Sequence, residues 1–396
     1  MIYYPEMNVC FETFGCRLNR AEALEDEAKT IAAGHRAVTK HSDADFFVIR
    51  GCSVTARAQR DCEKLIEHLK AKYPLKRVYV TGCLPEAKPF IVKERPGEAP
   101  VPTRTARAYL KVQNGCSGEC TFCIVPRFRG KSVSLDFDLA LDKAKRFLDA
   151  GYREIVMTGC NLSLYASGGK RLPELVAALA ELDPACRVRL GSLEPFLAAD
   201  ETIDAMAAHE NVCRFLHMPI QSGSDRILAL MKRPYTVEAV RTLLEKARAL
   251  MPEVGLGCDM IAGFPGETER DQLLSENLLK ELKIAHVHAF PYSKRPGTPA
   301  ATMAGQLERE LVRHRAKALA AIGERNRRAF AQRFVNTETE VVIESEKKLC
   351  GWTGEYLWVE ELLPPGKTVT RQSERRQKVK FLIKKTDHGR LYGTRV

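Results

Sequence analysis

Short apolar runs and stretches of helical period alternate from the start of the chain. Residues 8–14, 45–50 and 77–81 read as strands, while residues 21–33 and 56–72 carry the helical period. Strands separated by helices predict a parallel sheet, because each helix carries the chain back to the same edge. Residues 93–105, with Pro96, Pro100, Pro102 and Gly97, read as a linker. The alternation then resumes. Strands are predicted at 108–113, 154–158, 187–191, 214–220, 255–261 and 285–290, and helices at 137–150, 172–182, 200–208, 237–250 and 269–282. Six such units predict a partial, open form of the eight-unit barrel, with its site at the carboxyl ends of the strands. A charged, alanine-rich amphipathic helix follows at 306–334. Beyond it the period changes to short strands at 340–345, 355–361, 378–384 and 391–395, which predicts a small closed β-barrel. The fold class is therefore α/β in three parts: a parallel α/β domain over 1–97, a partial (β/α)6 barrel over 102–330, and a C-terminal β-barrel over 331–396.

Cysteines fall at the strand ends of this scheme. Cys16, Cys52 and Cys83 each follow a predicted strand of the first domain at once, and each has a glycine before it. Parallel strands deliver such residues to one edge, where ligands of open α/β sheets gather. A glycine lets the backbone turn tightly or approach a bulky group. The first barrel strand leads into Cys116, Cys120 and Cys123, spaced C-x3-C-x2-C, with Phe122 before the last. Three soft thiolates this close hold three irons of a cubane cluster and leave one iron open. Paired zinc ligands would need a second C-x2-C, which the chain lacks. The alternatives are a zinc knuckle for the run and small buried thiols for the strand-end set. The spacing of the run resembles the radical S-adenosylmethionine (SAM) superfamily.

The other barrel strands end in polar residues suited to a SAM pocket. Gly159 and Asn161 end the second, Ser192 and Glu194 the third, and Gln221 and Ser222 the fourth, with Arg233 shortly after. Gly159 admits close backbone approach. Glu194 offers a carboxylate to an ammonium or a ribose hydroxyl. Arg233 offers a planar fork to the methionine carboxylate. The glycines of residues 259–267 end the fifth strand. Taken singly, each of these is equally a helix cap or a turn. Of the remaining cysteines, Cys10, Cys62, Cys186, Cys213, Cys258 and Cys350 read as packing residues, and so does Cys160, although it lies beside the pocket.

Composition adds three constraints. The chain has 396 residues, 45% hydrophobic and 28% charged, enough for two or three domains with ample core. It shows no apolar run long enough for a bilayer and no signal peptide, so its thirteen cysteines argue for a reducing cytoplasm rather than a disulfide framework. The net charge is +12, and residues 371–396 hold nine Lys or Arg against Glu374 and Asp387. That balance favours a polyanion such as RNA. Trp352, Tyr356 and Trp358 interleave with basic residues and are candidate base-stacking groups, the alternative being core.

Nearly the whole chain resembles the radical SAM methylthiotransferases. Tyr292-Ser293-Lys294-Arg295-Pro296-Gly297-Thr298 resembles their Tyr-Ser-x-Arg-x-Gly-Thr signature, and the order of domains is the same, ending in the barrel called TRAM. The resemblance implies a [4Fe-4S] cluster on Cys116, Cys120 and Cys123 whose open iron chelates SAM. Its reductive cleavage gives a 5′-deoxyadenosyl radical. The resemblance also implies an auxiliary [4Fe-4S] cluster on Cys16, Cys52 and Cys83 that carries the sulfur to be inserted. Thr13-Phe14-Gly15-Cys16-Arg17-Leu18-Asn19, Cys52-Ser53-Val54-Thr55 and the residues leading into Cys116 look like the branch acting on N6-threonylcarbamoyladenosine beside the tRNA anticodon. Arg50-Gly51 and Leu84-Pro85-Glu86 depart from the family around the auxiliary ligands. The expected partners are the anticodon stem-loop of tRNA, an electron donor and a sulfur donor, with no membrane. The alternatives are the same chemistry on N6-isopentenyladenosine or a ribosomal-protein aspartate, and a non-catalytic Fe–S protein that binds RNA.

Overall fold

Residue Val48 and its neighbours show why the first sheet is parallel. The strand Phe46–Cys52 is buried along nearly all its length, so it needs cover on both faces. A computed structural model describes residues 6–90, 100–102, 104–345, 349–362 and 375–396. In it Phe46–Cys52 lies between Asn8–Thr13 and Arg77–Cys83, all parallel, with Arg36–Val38 at the far edge. The three-residue edge strand was not read from the sequence, being too short to show a period. Helix Ala56–Lys72 starts where Thr55 accepts from the Ala58 N–H at 3.2 Å. It packs Cys62, Ile66 and Leu69 against Cys10, Phe47 and Ile49, so Cys10 and Cys62 are core residues as expected. The linker read at 93–105 falls largely outside the described residues.

Six further parallel strands form the open barrel: Ala108–Lys111, Glu154–Thr158, Arg187–Arg189, Phe215–Gln221, Gly255–Ala262 and His286–Pro291. They make two three-stranded sheets, joined by the isolated parallel bridges Val188↔Val212 and Ser192↔His217. Alternate residues divide two environments. Met218, Ile220, Cys258 and Met260 pack into the large core shared with the helices, and the residues between them face inward. The first helix, Arg17–Ala32, closes over the inward face of the first two strands, where Ala21 and Leu24 meet Tyr109 and Val156. The long helix Arg309–Gln332 packs on the last strands, so closely that a methyl group on Gly323 would meet Val287 Cβ at 2.6 Å. Among the described residues no helix is long and apolar enough to cross a membrane.

The C-terminal strands Glu338–Ile343, Cys350–Trp352, Trp358–Glu361, Lys378–Asp387 and Arg390–Arg395 close into a barrel. Cys350–Trp352 went unread, and the strand expected over 355–361 starts only at Trp358, because Tyr356 turns the chain at φ +67°. That turn is where this barrel docks. Tyr356 stacks on Phe215 at 4.6 Å between ring centroids and on Trp352 at 4.4 Å. Trp352 and Tyr356 are thus committed to an internal contact, which corrects the reading of them as free stacking platforms for RNA bases.

A buried charge fixes the same junction. Glu154 has no exposed surface and accepts from Arg187 Nη2 and Arg189 Nε, each at 2.6 Å. Burial alone would raise its pKa, but Arg189, Arg187 and Arg107 override this and hold the carboxyl far below the usual range. The two arginines also donate to the carbonyls of Trp352 at 2.8 Å and Thr353 at 2.7 Å. Removing the carboxylate leaves buried cations uncompensated. Glu154→Ala is expected to cost about 3–5 kcal/mol of stability. Both tryptophans of the chain, Trp352 and Trp358, lie beside this junction, so urea unfolding followed by their emission reads the loss directly. An unchanged midpoint would contradict the account.

Candidate metal centres

Cys52 and Cys83 end adjacent strands as register partners, and Cys16 stands at the N-cap of helix Arg17–Ala32 just after the neighbouring strand. The carboxyl edge of the sheet therefore gathers all three. Cys52 and Cys83 are buried and Cys16 is exposed. Gly15 has φ +93°, and a methyl group there would lie 2.6 Å from Cys52 Cβ and 2.7 Å from its Sγ. Gly82, at φ +90°, would strike the Gly51 carbonyl at 2.6 Å. Two of the three glycines thus have the turn that a side chain would spoil. Among the described residues none of these cysteines is in a disulfide.

The second set sits on a loop pinned at both ends. Cys116 N–H donates to the Gly130 carbonyl at 3.0 Å, and Thr121 bonds the carbonyls of Leu230 and Met231. A methyl group on Gly118 would stand 3.4 Å from Cys116 Sγ and 3.8 Å from Cys120 Sγ, so both sulfurs border one small cradle. The Gly118 N–H points at Cys116 Sγ at 3.4 Å, and Arg233 Nη1 at Cys120 Sγ at 3.0 Å. Burial pushes the Cys123 thiol up to about 12 and Cys52 to about 11. A thiolate at such positions requires a cation, and a metal supplies it. The donor chemistry of both sets fits soft iron–sulfur ligation.

Arg129, not singled out from the sequence, ties Cys83 to the strand that leads into Cys116. It leaves the short helix Val125–Arg129 just after Cys123 and donates through Nε to Cys83 Sγ at 3.0 Å. Its other nitrogens reach Asn114 Oδ1 at 2.8 Å, Asn19 Oδ1 at 2.6 Å and both oxygens of Glu22 at 3.0 Å. Burial opposes the Glu22 charge, but Arg129, Lys111 and Arg50 outweigh it and hold its pKa at about 2. Cys160 differs from its assignment as a packing residue. It is half-buried, 4.0 Å from Asn114 Oδ1, and electrostatically coupled to Cys123 as well as to Cys16 and Cys83. It lies between the two sets.

The strand-end residues are placed unevenly. Asn161 is buried, with its N–H on Gln113 Oε1 at 2.9 Å and its Nδ2 3.9 Å from Cys116 Sγ, and its Oδ1 has no partner among the described residues. Gly159 lets Gln113 come close, since a methyl group would meet Gln113 Oε1 at 2.8 Å. Ser192 is exposed, and Gln221 is buried with φ +70°. Arg233 is already held by Glu194, by Tyr235 OH at 2.6 Å and by Cys120, so it is not a free fork for a carboxylate. The Phe122 ring is partly buried and packs on Phe264 at 6.5 Å in a small core. Ser222 accepts from the Ser224 N–H at 3.2 Å and is a turn residue. The signature loop has a structural use as well: Ser293 Oγ accepts from the Ala56 N–H at 3.0 Å and Arg295 bonds Gln59, which locks helix Ala56–Lys72 to the barrel.

On the inward wall of the last three strands, Asp259 takes His217 Nε2 and His288 Nδ1, each at 3.2 Å. Burial opposes its charge, yet the two imidazoles hold the carboxyl below the usual range. Sequence reading missed this trio because its members lie on three strands and share no spacing.

Comparison with known proteins bears on all of this. Residues 110–276 match the radical SAM superfamily, and residues 8–101 match an uncharacterized protein family, UPF0004. The chain is 30% identical, over 89% of each chain, to the threonylcarbamoyladenosine tRNA methylthiotransferase MtaB of Bacillus subtilis. It is 32% identical to the tRNA-2-methylthio-N(6)-dimethylallyladenosine synthase of Mycobacterium bovis, over 86% of this chain and 77% of that one. Among solved structures, the radical SAM methyltransferase TsrM of Kitasatospora setae shares the fold, with a TM-score of 0.52 at 13% identity over 75% of this chain and 77% of that one. The chain belongs to the radical SAM methylthiotransferases, on the side of the family that modifies tRNA.

Proposed function

We propose that this protein is a cytoplasmic enzyme that places a methylthio group on C2 of N6-threonylcarbamoyladenosine, next to the anticodon of tRNA. The carrying observation is the pair of three-cysteine sites, each after the end of a parallel strand, with Arg129 bonding both Cys83 and Asn114, two residues before Cys116. Cys116, Cys120 and Cys123 would hold the [4Fe-4S] cluster that meets SAM, and Cys16, Cys52 and Cys83 a second [4Fe-4S] cluster. When bound, the first supplies the electron that cleaves SAM and the second presents the sulfur. Gly159, Asn161, Ser192, Glu194 and Gln221 border the SAM side, with Phe122, Ser222 and Arg233 supporting it. Arg233 and Arg129 each aim a fixed positive charge at a cysteine sulfur, which would stabilise an anionic cluster held there. Electrons come from an electron donor and sulfur from a sulfur donor. The chain divides on this reading into 1–97, 102–330 and 331–396, and the basic last barrel holds the RNA.

The threonylcarbamoyl substrate is supported by the match to the Bacillus relative and by the residues around Cys16. The mycobacterial match supports isopentenyladenosine as the second reading. Nucleosides from tRNA of cells with and without the gene decide. Loss of 2-methylthio-N6-threonylcarbamoyladenosine, with its unthiolated precursor accumulating, is the expected result. Loss of the methylthio-isopentenyl nucleoside would transfer the protein to that substrate.

A further inference from the structure

A cavity of about 620 Å³ opens where the three parts of the chain meet, and the exposed Cys16 forms part of its wall. Arg17 and Arg20, on the first turn of the helix after Cys16, line it with Tyr109, Trp352 and Tyr356. Its volume is that of a small-molecule site.

Charge makes the cavity selective. Most of its ionised groups are already neutralised in pairs. Glu27 meets Arg104 at 3.1 Å and Glu344 meets Arg107 at 2.5 Å, while Glu12 bonds the His41 imidazole at 2.8 Å. Arg17 and Arg20 differ. Among the described residues neither has a carboxylate partner. Each lies over an aromatic ring instead, Arg17 at 5.2 Å from the Tyr356 centroid and Arg20 at 5.4 Å from that of Tyr109. Arg17 also bonds the Tyr356 side chain, and contact with a ring face holds each guanidinium in place while its remaining N–H groups can meet an anion. Four arginines against three glutamates thus leave the wall of the cavity, beside a candidate cluster ligand, net positive.

We propose that this cavity receives the N6 substituent of the substrate nucleoside, and that Arg17 and Arg20 hold its carboxylate. The inference rests on the threonylcarbamoyl reading above and deepens it. Chemistry gives the fit. In adenine, C2 and the carbon bearing N6 flank the same ring nitrogen. A base whose C2 faces the sulfur presented at Cys16, Cys52 and Cys83 therefore points its N6 substituent past that ring nitrogen toward the same flank. A threonylcarbamoyl group ends there in a carboxylate, which a guanidinium fork binds in two parallel hydrogen bonds. An isopentenyl group offers the arginines nothing, and their desolvation would disfavour it.

The test uses the cluster-loaded full-length enzyme and synthetic anticodon stem-loops carrying threonylcarbamoyladenosine, its carboxyl methyl ester, or plain adenosine. Wild type is expected to bind the free acid about tenfold or more tighter than the ester or plain adenosine, the range of one charge-assisted contact. Arg17→Gln with Arg20→Gln is expected to make the three affinities equal, and Arg17→Lys to retain part of the preference. The ester keeps the test independent of whether any variant folds. Wild type binding acid and ester equally would overturn the proposal. So would variants that weaken all three RNAs by the same factor, since the arginines would then be holding a backbone phosphate. Failure of the underlying reading looks different: wild type would methylthiolate an isopentenyl stem-loop and leave the threonylcarbamoyl one untouched.

Discussion

Reduced Cys116→Ala enzyme supplied with SAM is expected to release no 5′-deoxyadenosine. Two thiolates in place of three leave a second iron without a protein ligand, and Cys116 is the residue that the Gly118 N–H and Asn161 Nδ2 address. The loop cannot recruit a substitute, since its ends are tied to Gly130, Leu230 and Met231. Cys160 is near, but it belongs to the next strand end and lies toward Asn114. Loss should be complete and should appear together with a drop in bound iron. Retained cleavage in this variant would sink the assignment of the two sites.

Cys83→Ala should separate the two halves of the reaction. It is expected to keep SAM cleavage and to lose methylthio transfer to RNA entirely. Cys83 is a register partner of Cys52 on a different sheet from the Cys116–Cys123 loop, and that loop keeps all three of its cysteines. The variant also frees the Arg129 Nε, but Glu22, Asn19 and Asn114 still hold that guanidinium, so the SAM side should be disturbed only slightly. Measuring 5′-deoxyadenosine and methylthio-nucleoside in one assay gives the result. Loss of both would mean that the two sites do not act separately.

Much of the architecture was legible because it is local. Strand 154–158 and helices 56–72, 172–182 and 237–250 were read to the residue. Each is a run whose period matches its burial, such as the fully buried Glu154–Thr158. The cysteine sets were legible for a related reason: one has a diagnostic spacing, and the other repeats a Gly-Cys at the end of each strand. Very short elements were not legible. Arg36–Val38 and Cys350–Trp352 have three residues each, too few to display a period of two. Polar strand ends were only partly legible, because a residue such as Ser222 or Arg233 looks the same in sequence whether it faces a ligand, caps a turn or holds a neighbour.

Local periodicity and spacing thus decided the fold class, the strand-end cysteines and the family chemistry. Packing decided which distant residues share a site. Arg129 meets Cys83 across 46 residues, and Arg189 meets the Thr353 carbonyl across 164. Tyr356 enters the foot of the barrel only because a turn at positive φ presents it to Phe215. The positive balance around Arg17 and Arg20 arises only where the fold pairs Glu27 with Arg104 and Glu344 with Arg107. A residue's period is set by its immediate neighbours, whereas its partner is set by which surfaces must be buried against one another, and that is a property of the assembled chain.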